Sequence, residues 1–97
     1  MGAIVDDEIV GYQQISHSAS TAFTIAGTNV YRARVIVEDG DIRWRPDGAT
    51  TAPTASVGFL ERQGNVFDIT QPDLAAWRSI PTGGTVKLSV LFFSKVP

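Results

Sequence analysis

Cysteine is absent from the 97-residue chain, and histidine and methionine each occur once. No disulfide framework and no thiolate metal site can therefore form. A chain without disulfides is free to fold in a reducing compartment. Long apolar runs are missing too, since none approaches the roughly 18 residues of a membrane span. Nor does one sign of charge dominate. Eight basic against ten acidic residues give a formal charge of −2. That leaves no basic field for nucleic acid and no attraction to an anionic membrane. The first residues, ending in Asp6-Asp7-Glu8, are acidic and do not read as a secretory signal. The expectation is a soluble protein made in a cytoplasm, with no nucleic-acid or membrane partner. No repeat of about 20–50 residues is visible, and no long amphipathic helix.

What is present is a globular balance, with 43% hydrophobic and 19% charged residues. A chain of this length holds one core and hence one domain. Residues 1–8 read as a flexible N-terminal arm, and residues 9–97 as a single β-sandwich domain. Strand patterning is clearest in Val30 to Val37. Tyr31, Ala33, Val35 and Val37 share one face, and Arg32, Arg34, Ile36 and Glu38 the other. Asp39-Gly40 then predicts a hairpin into Ile42 to Arg45, with Ile42 and Trp44 toward the core and Arg43 and Arg45 outward. Thr21 to Ala26 alternates as a strand, whereas Ile9 to Ile15 has strand content but imperfect alternation. Val57 to Arg62 and Val66 to Ile69 read as two strands joined in a hairpin by Gln63-Gly64-Asn65. Thr70 to Asp73 can cap one helical turn, and Leu74 to Ile80 fits either a short helix or a strand.

The last strand, Thr85 to Phe93, buries Val86, Leu88, Val90 and Phe92 on one face. Leu91 and Phe93 make its other face apolar as well. A strand apolar on both sides must be covered on both, by the chain's own loops or by a neighbouring subunit. Leu91 and Phe93 are thus candidates for an oligomer interface. The fold class expected is all-β: an antiparallel β-sandwich or jelly roll of about eight short strands, with at most one short helical turn.

Chemistry-bearing groups are few. His17 lies in a Ser-rich connection and reads as an exposed loop residue; a triad with Ser and Asp is conceivable, but no nucleophile-elbow pattern occurs. The carboxylates Asp6-Asp7-Glu8 and Glu38 to Asp41 allow a glycosidase pair or calcium ligands on paper, yet turn chemistry already accounts for the second group. No metal site, cofactor or catalytic residue is expected. Trp44 and Trp77 serve the core, or stack on sugar rings if exposed. Pro46 to Ser56 contains turn formers and no large apolar residue, which predicts a long exposed loop of the kind that often carries function. Arg43, Arg45 and Asp47, with Thr50 and Thr51 in this loop, are the candidate contacts to a partner. Asp6 and Asp7 in the acidic arm are a second candidate contact.

The segment Ile42-Arg43-Trp44-Arg45-Pro46-Asp47-Gly48, followed by Pro53-Thr54-Ala55-Ser56-Val57-Gly58, resembles a motif of small tailed-bacteriophage proteins, roughly V-R-W-R-x-D-G-x-x-P-T-A-S-x-G. Pro72 to Ile80 looks similar to their G-D-L-x-A-x-R-x-I stretch, and Lys87 to Phe92 to their final strand, K-L-N-V-x-Y. Extra Ala and Thr residues after Gly48, and Pro72 in place of the usual Gly, set this chain apart at two turns. The resemblance spans about Val35 to Phe93. It implies a non-enzymatic virion component of capsid-decoration or accessory-head type. The implied partner is the major capsid protein or another virion protein, and the implied assembly a homotrimer. A carbohydrate- or receptor-binding module of a virion tip or fibre is the alternative. A small hydrolase using His17 is a third.

Overall fold

Strand β2, Val30–Asp39, follows the period of two read from its sequence from Ala33 onward, with Ala33, Val35 and Val37 fully buried. At its start a register shift between Val30 and Arg32 buries Val30 instead of the expected Tyr31, whose hydroxyl bonds Asp7. In the computed structural model, which describes residues 7–25 and 27–95, six further strands accompany it. They are β1 (Asp7–His17), β3 (Ile42–Arg45), β4 (Phe59–Glu61), β5 (Val66–Thr70), β6 (Arg78–Pro81) and β7 (Val86–Lys95). Among the described residues these seven strands form two antiparallel sheets, with no helix: a β-sandwich. Sheet 1 has the order β1-β7-β2-β5 and sheet 2 the order β4-β3-β6.

The connectivity is that of a jelly roll with one strand reduced to a single bridge. Thr21 and Ser79 exchange both backbone hydrogen bonds, which lays the segment after β1 along the free edge of β6. Counting that segment as an eighth strand, the chain changes sheet at every connection except β3 to β4. Alternate crossing of this kind produces the paired Greek keys of the architecture.

Several expected turns take a different role for this reason. Asp39-Gly40 does not close a hairpin; it carries the chain from β2 in sheet 1 to β3 in sheet 2. The glycine is still required, because φ is +79° and a Cβ would lie 2.7 Å from Val86 Cγ1. Gln63 to Asn65 likewise crosses between sheets, from β4 to β5, and is tied to β2 by the bond from Gly64 N–H to Val37 O. The strand expected over Thr21 to Ala26 shrinks to the Thr21 bridge, and Ala26 lies outside the described residues.

Other expectations are refined. The imperfect alternation of Ile9 to Ile15 is a β-bulge between Ile9 and Gly11, which turns Val10 toward the core and leaves Ile9 and Tyr12 exposed. The strand starts at Asp7, so Asp7 and Glu8 belong to the sheet, opposite Lys95 and Ser94, rather than to an arm. Met1 to Asp6 lie outside the described residues. After β5 the chain makes successive turns too short for a helix, with Asp73 O accepting the N–H of Ala76 and of Trp77, the bonds of one helical turn. These turns bury Leu74 and Trp77 before β6 begins.

The core lies between the sheets. Val86, Leu88, Val90 and Phe92 of β7 face Ile42, Leu74 and Trp77, all essentially inaccessible. Each such side chain contributes about 1.5–3 kcal/mol by leaving water. The two faces of β7 should therefore respond unequally to truncation. Leu88→Ala is expected to cost about 2–5 kcal/mol in chemical denaturation. Leu91→Ala, on the half-buried outer face, is expected to cost clearly less.

Candidate functional site

Residues 46–58 join β3 to β4, the one connection that stays within a sheet. The loop is exposed at Thr50 and Thr51, yet Gly48 and Pro53 are buried. Its order comes from the residues of the Arg-Trp-Arg motif. Because Ile42 faces inward, Arg43 and Arg45 emerge on the outer side of sheet 2. Arg43 Nε and Nη1 donate to the carbonyls of Ala55 at 3.3 Å and Gly58 at 3.0 Å. Arg45 Nε and Nη2 each lie 2.8 Å from a carboxylate oxygen of Asp47. The hydrogen bond from Arg45 holds the Asp47 carboxyl below its usual range. Backbone Asp47 O accepts the N–H groups of Thr50 and Thr51, and Ala49 N–H reaches Ala76 O. Gly48 lies so close to Arg78 that a Cβ would stand 2.4 Å from the arginine Cβ. The loop is thus a fixed cover on sheet 2 with a polar tip.

Beside it opens a cleft of about 470 Å³ lined by Arg45, Pro46, Asp47, Gly58 and Phe59. Phe59 is 59% exposed and tilts against Trp44, with ring centroids 5.0 Å apart. Trp44 also stacks on Phe67 at 5.1 Å and donates its indole N–H to Glu61. The exposed ring at this edge is therefore Phe59, which the sequence reading did not single out. Trp77 is fully buried, stacked on Phe23 at 4.1 Å, and offers no face to a sugar.

The outer face of sheet 1 forms a second constellation. Arg32 bonds Asp7 and Asp68, Arg34 bonds Asp68, and the Tyr31 hydroxyl donates to Asp7. The Tyr31 hydroxyl, then Arg32, holds the Asp7 carboxyl low; Arg34, then Arg32, does the same for Asp68. Burial works against the Arg32 charge, but Tyr31, Asp7 and Asp68 outweigh it and raise its pKa. Asp7 is thus spent within the chain, whereas Asp6 lies outside the described residues. Phe93 is covered by the Arg32 guanidinium, 3.9 Å above its ring, and retains only 7% exposure. Leu91 stays half-buried, between Tyr12 and Arg34 in the register. The apolar second face of β7 is therefore covered at Phe93 by the chain itself. Asp68 could have been noticed as the outward acid of β5, but its pairing with Arg32 and Arg34 needs the strand order.

His17 departs most from expectation. It is the last residue of β1, it is buried, and its Nε2 lies 3.0 Å from Ser79 Oγ. The strand runs two residues further than the sequence suggested, and this turns the ring into the sandwich. Among the described residues, no group of three or more His, Asp or Glu side chains is arranged to hold a metal ion.

A scan of the chain against protein-family models finds no match, and searches of the curated proteins and of the solved structures find no similar chain.

The bidentate role of Arg43 has a direct test. Arg43→Lys keeps the charge but loses the fork that spans two carbonyls. Both Arg43→Lys and Arg43→Ala should raise the rate of proteolytic cleavage within residues 49–57 by about tenfold, equivalent to about 1.4 kcal/mol of lost tethering.

Proposed function

We propose that this chain is a non-enzymatic structural protein of a tailed-bacteriophage virion, binding the capsid surface as a decoration protein in homotrimeric form. The observation that carries the reading is the fixed, outward loop at residues 46–58. A loop ordered before contact gives up little conformational entropy when it binds. Arg43, Arg45, Asp47, Gly48 and Pro53, which support the phage resemblance, are the residues that tie this loop down or lie buried beneath it. Their role in the proposal is to shape the loop. Thr50, Thr51 and the cleft wall of Arg45 and Asp47 then meet the partner, with Phe59 as the apolar anchor. The partner is the major capsid protein or another virion protein. Asp6 remains a second contact; Asp7 is assigned to the sheet instead, so a truncation that tests the arm should stop at Asp6. The reading assigns no catalytic group and no cofactor.

Emptied heads of the parent phage, mixed with the purified chain and sedimented, should carry it down to a saturable level. Phe59→Ala combined with Thr50→Asp should weaken that binding by about tenfold or more. Binding to tail tips or fibres, with none to heads, would replace this reading by the receptor- or carbohydrate-binding one. For that alternative the exposed ring of Phe59 beside the Arg45–Asp47 pair is the supporting feature.

The trimer rests on the outer face of sheet 1, where Ile9 and Tyr12 stay exposed beside Leu91. Phe93 contributes little to it, being already covered by Arg32. Light scattering after size exclusion is expected to give three chain masses, and Tyr12→Asp with Leu91→Asp to give one. A single chain mass for the unaltered protein at all concentrations would remove the trimer from the proposal in solution.

A further inference from the structure

His17 occupies the point where the chain leaves sheet 1 for sheet 2. Its Nε2 meets Ser79 Oγ at 3.0 Å, and the backbone of the same Ser79 makes both hydrogen bonds to Thr21. One serine thus joins the end of β1, strand β6 and the segment after His17. Two residues beyond Thr21, Phe23 lies flat on Trp77, at 4.1 Å and 3° between ring planes. Phe23 also meets Phe92 edge-on at 5.9 Å. The segment is therefore a flap: the Thr21 backbone bridge, the bond from Thr24 N–H to Gln13 Oε1 at 2.8 Å and one aromatic ring hold it over the fully buried Trp77.

Among the described residues, the surroundings of the imidazole contain nothing to balance a positive charge. Inward positions on the elements around it are Gln13 and Ile15 of β1, Val86 and Leu88 of β7, Ser79 and Pro81 of β6, and Thr21 and Phe23 of the flap. None is ionisable. The charged residues Lys87 of β7 and Arg78 of β6 alternate with these and belong to the outer faces. In the turn beside Val86, the Asp41 carboxylate is engaged by Arg62 and by the N–H of Gln63, and Asp39 is exposed, opposite Lys87. His17 Nδ1 has no hydrogen-bond partner among the described residues. A protonated ring would carry two N–H donors with one partner, inside an apolar site.

We propose that His17 is an acid-sensitive latch, whose protonation releases residues 18–25 from the edge of sheet 2 while both sheets stay folded. The ring sits one residue from solvent-exposed Ser16 and Ser18, so it can reach water by moving the flap alone. The sheets do not depend on the flap, because β1 is held along its length by β7 and β6 by β3. Burial pushes the imidazole below its ordinary value, with the Ser79 contact opposing. A released histidine titrates near about 6.5. The latch is therefore at full strength above about pH 6.5 and weakens as the pH falls below it, since the open state binds the proton more tightly.

Trp77 reports the event. In Trp44→Phe, which leaves Trp77 as the single tryptophan, acidification from pH 7.5 to 5 should red-shift the emission and raise acrylamide quenching reversibly. The change should be absent when His17→Asn is added. In the unaltered chain, amides of residues 18–25 should exchange about tenfold faster at the lower pH, after correction for intrinsic rates, with β7 amides unchanged. This second measurement stands even if a variant fails to fold. A shielded Trp77 down to pH 5, a shift that persists in His17→Asn, or parallel loss of protection in β7 would each overturn the proposal.

Discussion

Strand β7 is apolar on both faces over its C-terminal half, and the molecule is organised around covering it. Its inner side chains, Val86 to Phe92, take the space between the sheets and draw in Ile42, Leu74 and Trp77. Its outer side poses the harder problem, because no third sheet lies over it. The chain solves this at Phe93 with the guanidinium of Arg32, a cation that shields the ring and still faces water. A guanidinium held flat on a ring needs its N–H groups satisfied, and Asp7 of β1, beyond β7, and Asp68 of the neighbouring β5 do so. Each exposed ion pair is worth little alone. Here the pairs fix the position of Arg32, and through it the cover of Phe93, while linking β1, β2 and β5 across the sheet.

The opposite side of the sandwich uses another means to the same end. The outer face of sheet 2 is closed by the chain itself, through the loop that Arg43 ties to the carbonyls of Ala55 and Gly58. A surface loop stabilised by side chain-to-backbone bonds keeps its shape without an apolar core of its own. That property suits a surface meant to meet a partner, since shape is settled before contact. Between the loop and the free edge of β4, the exposed Phe59 is the sort of aromatic group that interfaces favour.

Periodicity made much of the fold legible. The faces of β7 and of β2 from Ala33 onward, and Gly40 as a point needing positive φ, all follow from residue type and spacing, whereas the shift that buries Val30 in place of Tyr31 does not. Which strands pair did not follow. An Asp-Gly link suits a hairpin and a crossing between sheets alike, since in both the glycine supplies a positive φ. Only long-range packing, here Val86 against Gly40, separates the two. His17 was misjudged for a related reason: Ser and Ala neighbours suggest a loop, but partner strand β7 extends pairing to Val86 and carries the histidine inward. Among the residues expected as outward contacts, Arg43 supports the loop at residues 46–58 from below, whereas Thr50 and Thr51 stay exposed on it. Local sequence names Arg43 as an outward position without saying that the loop folds back to meet it.

The place of β7 in sheet 1 also bears on how the chain is made. It lies between β1 and β2, pairing with β1 from Val86 to Lys95 and with β2 from Lys87 to Ser94. Translation delivers β1 and β2 early and their shared neighbour last. Until Lys95 has emerged, these two strands have nothing between them, and the apolar faces of Ile15, Val35 and Val37 stay uncovered. Sheet 1 is therefore completed only after the ribosome has delivered its central strand, in a step that joins distant parts of the chain at once. Contacts of such long sequence range are slow to form. Until then the half-made sheet presents unpaired strand edges, the feature through which chains pair with their neighbours.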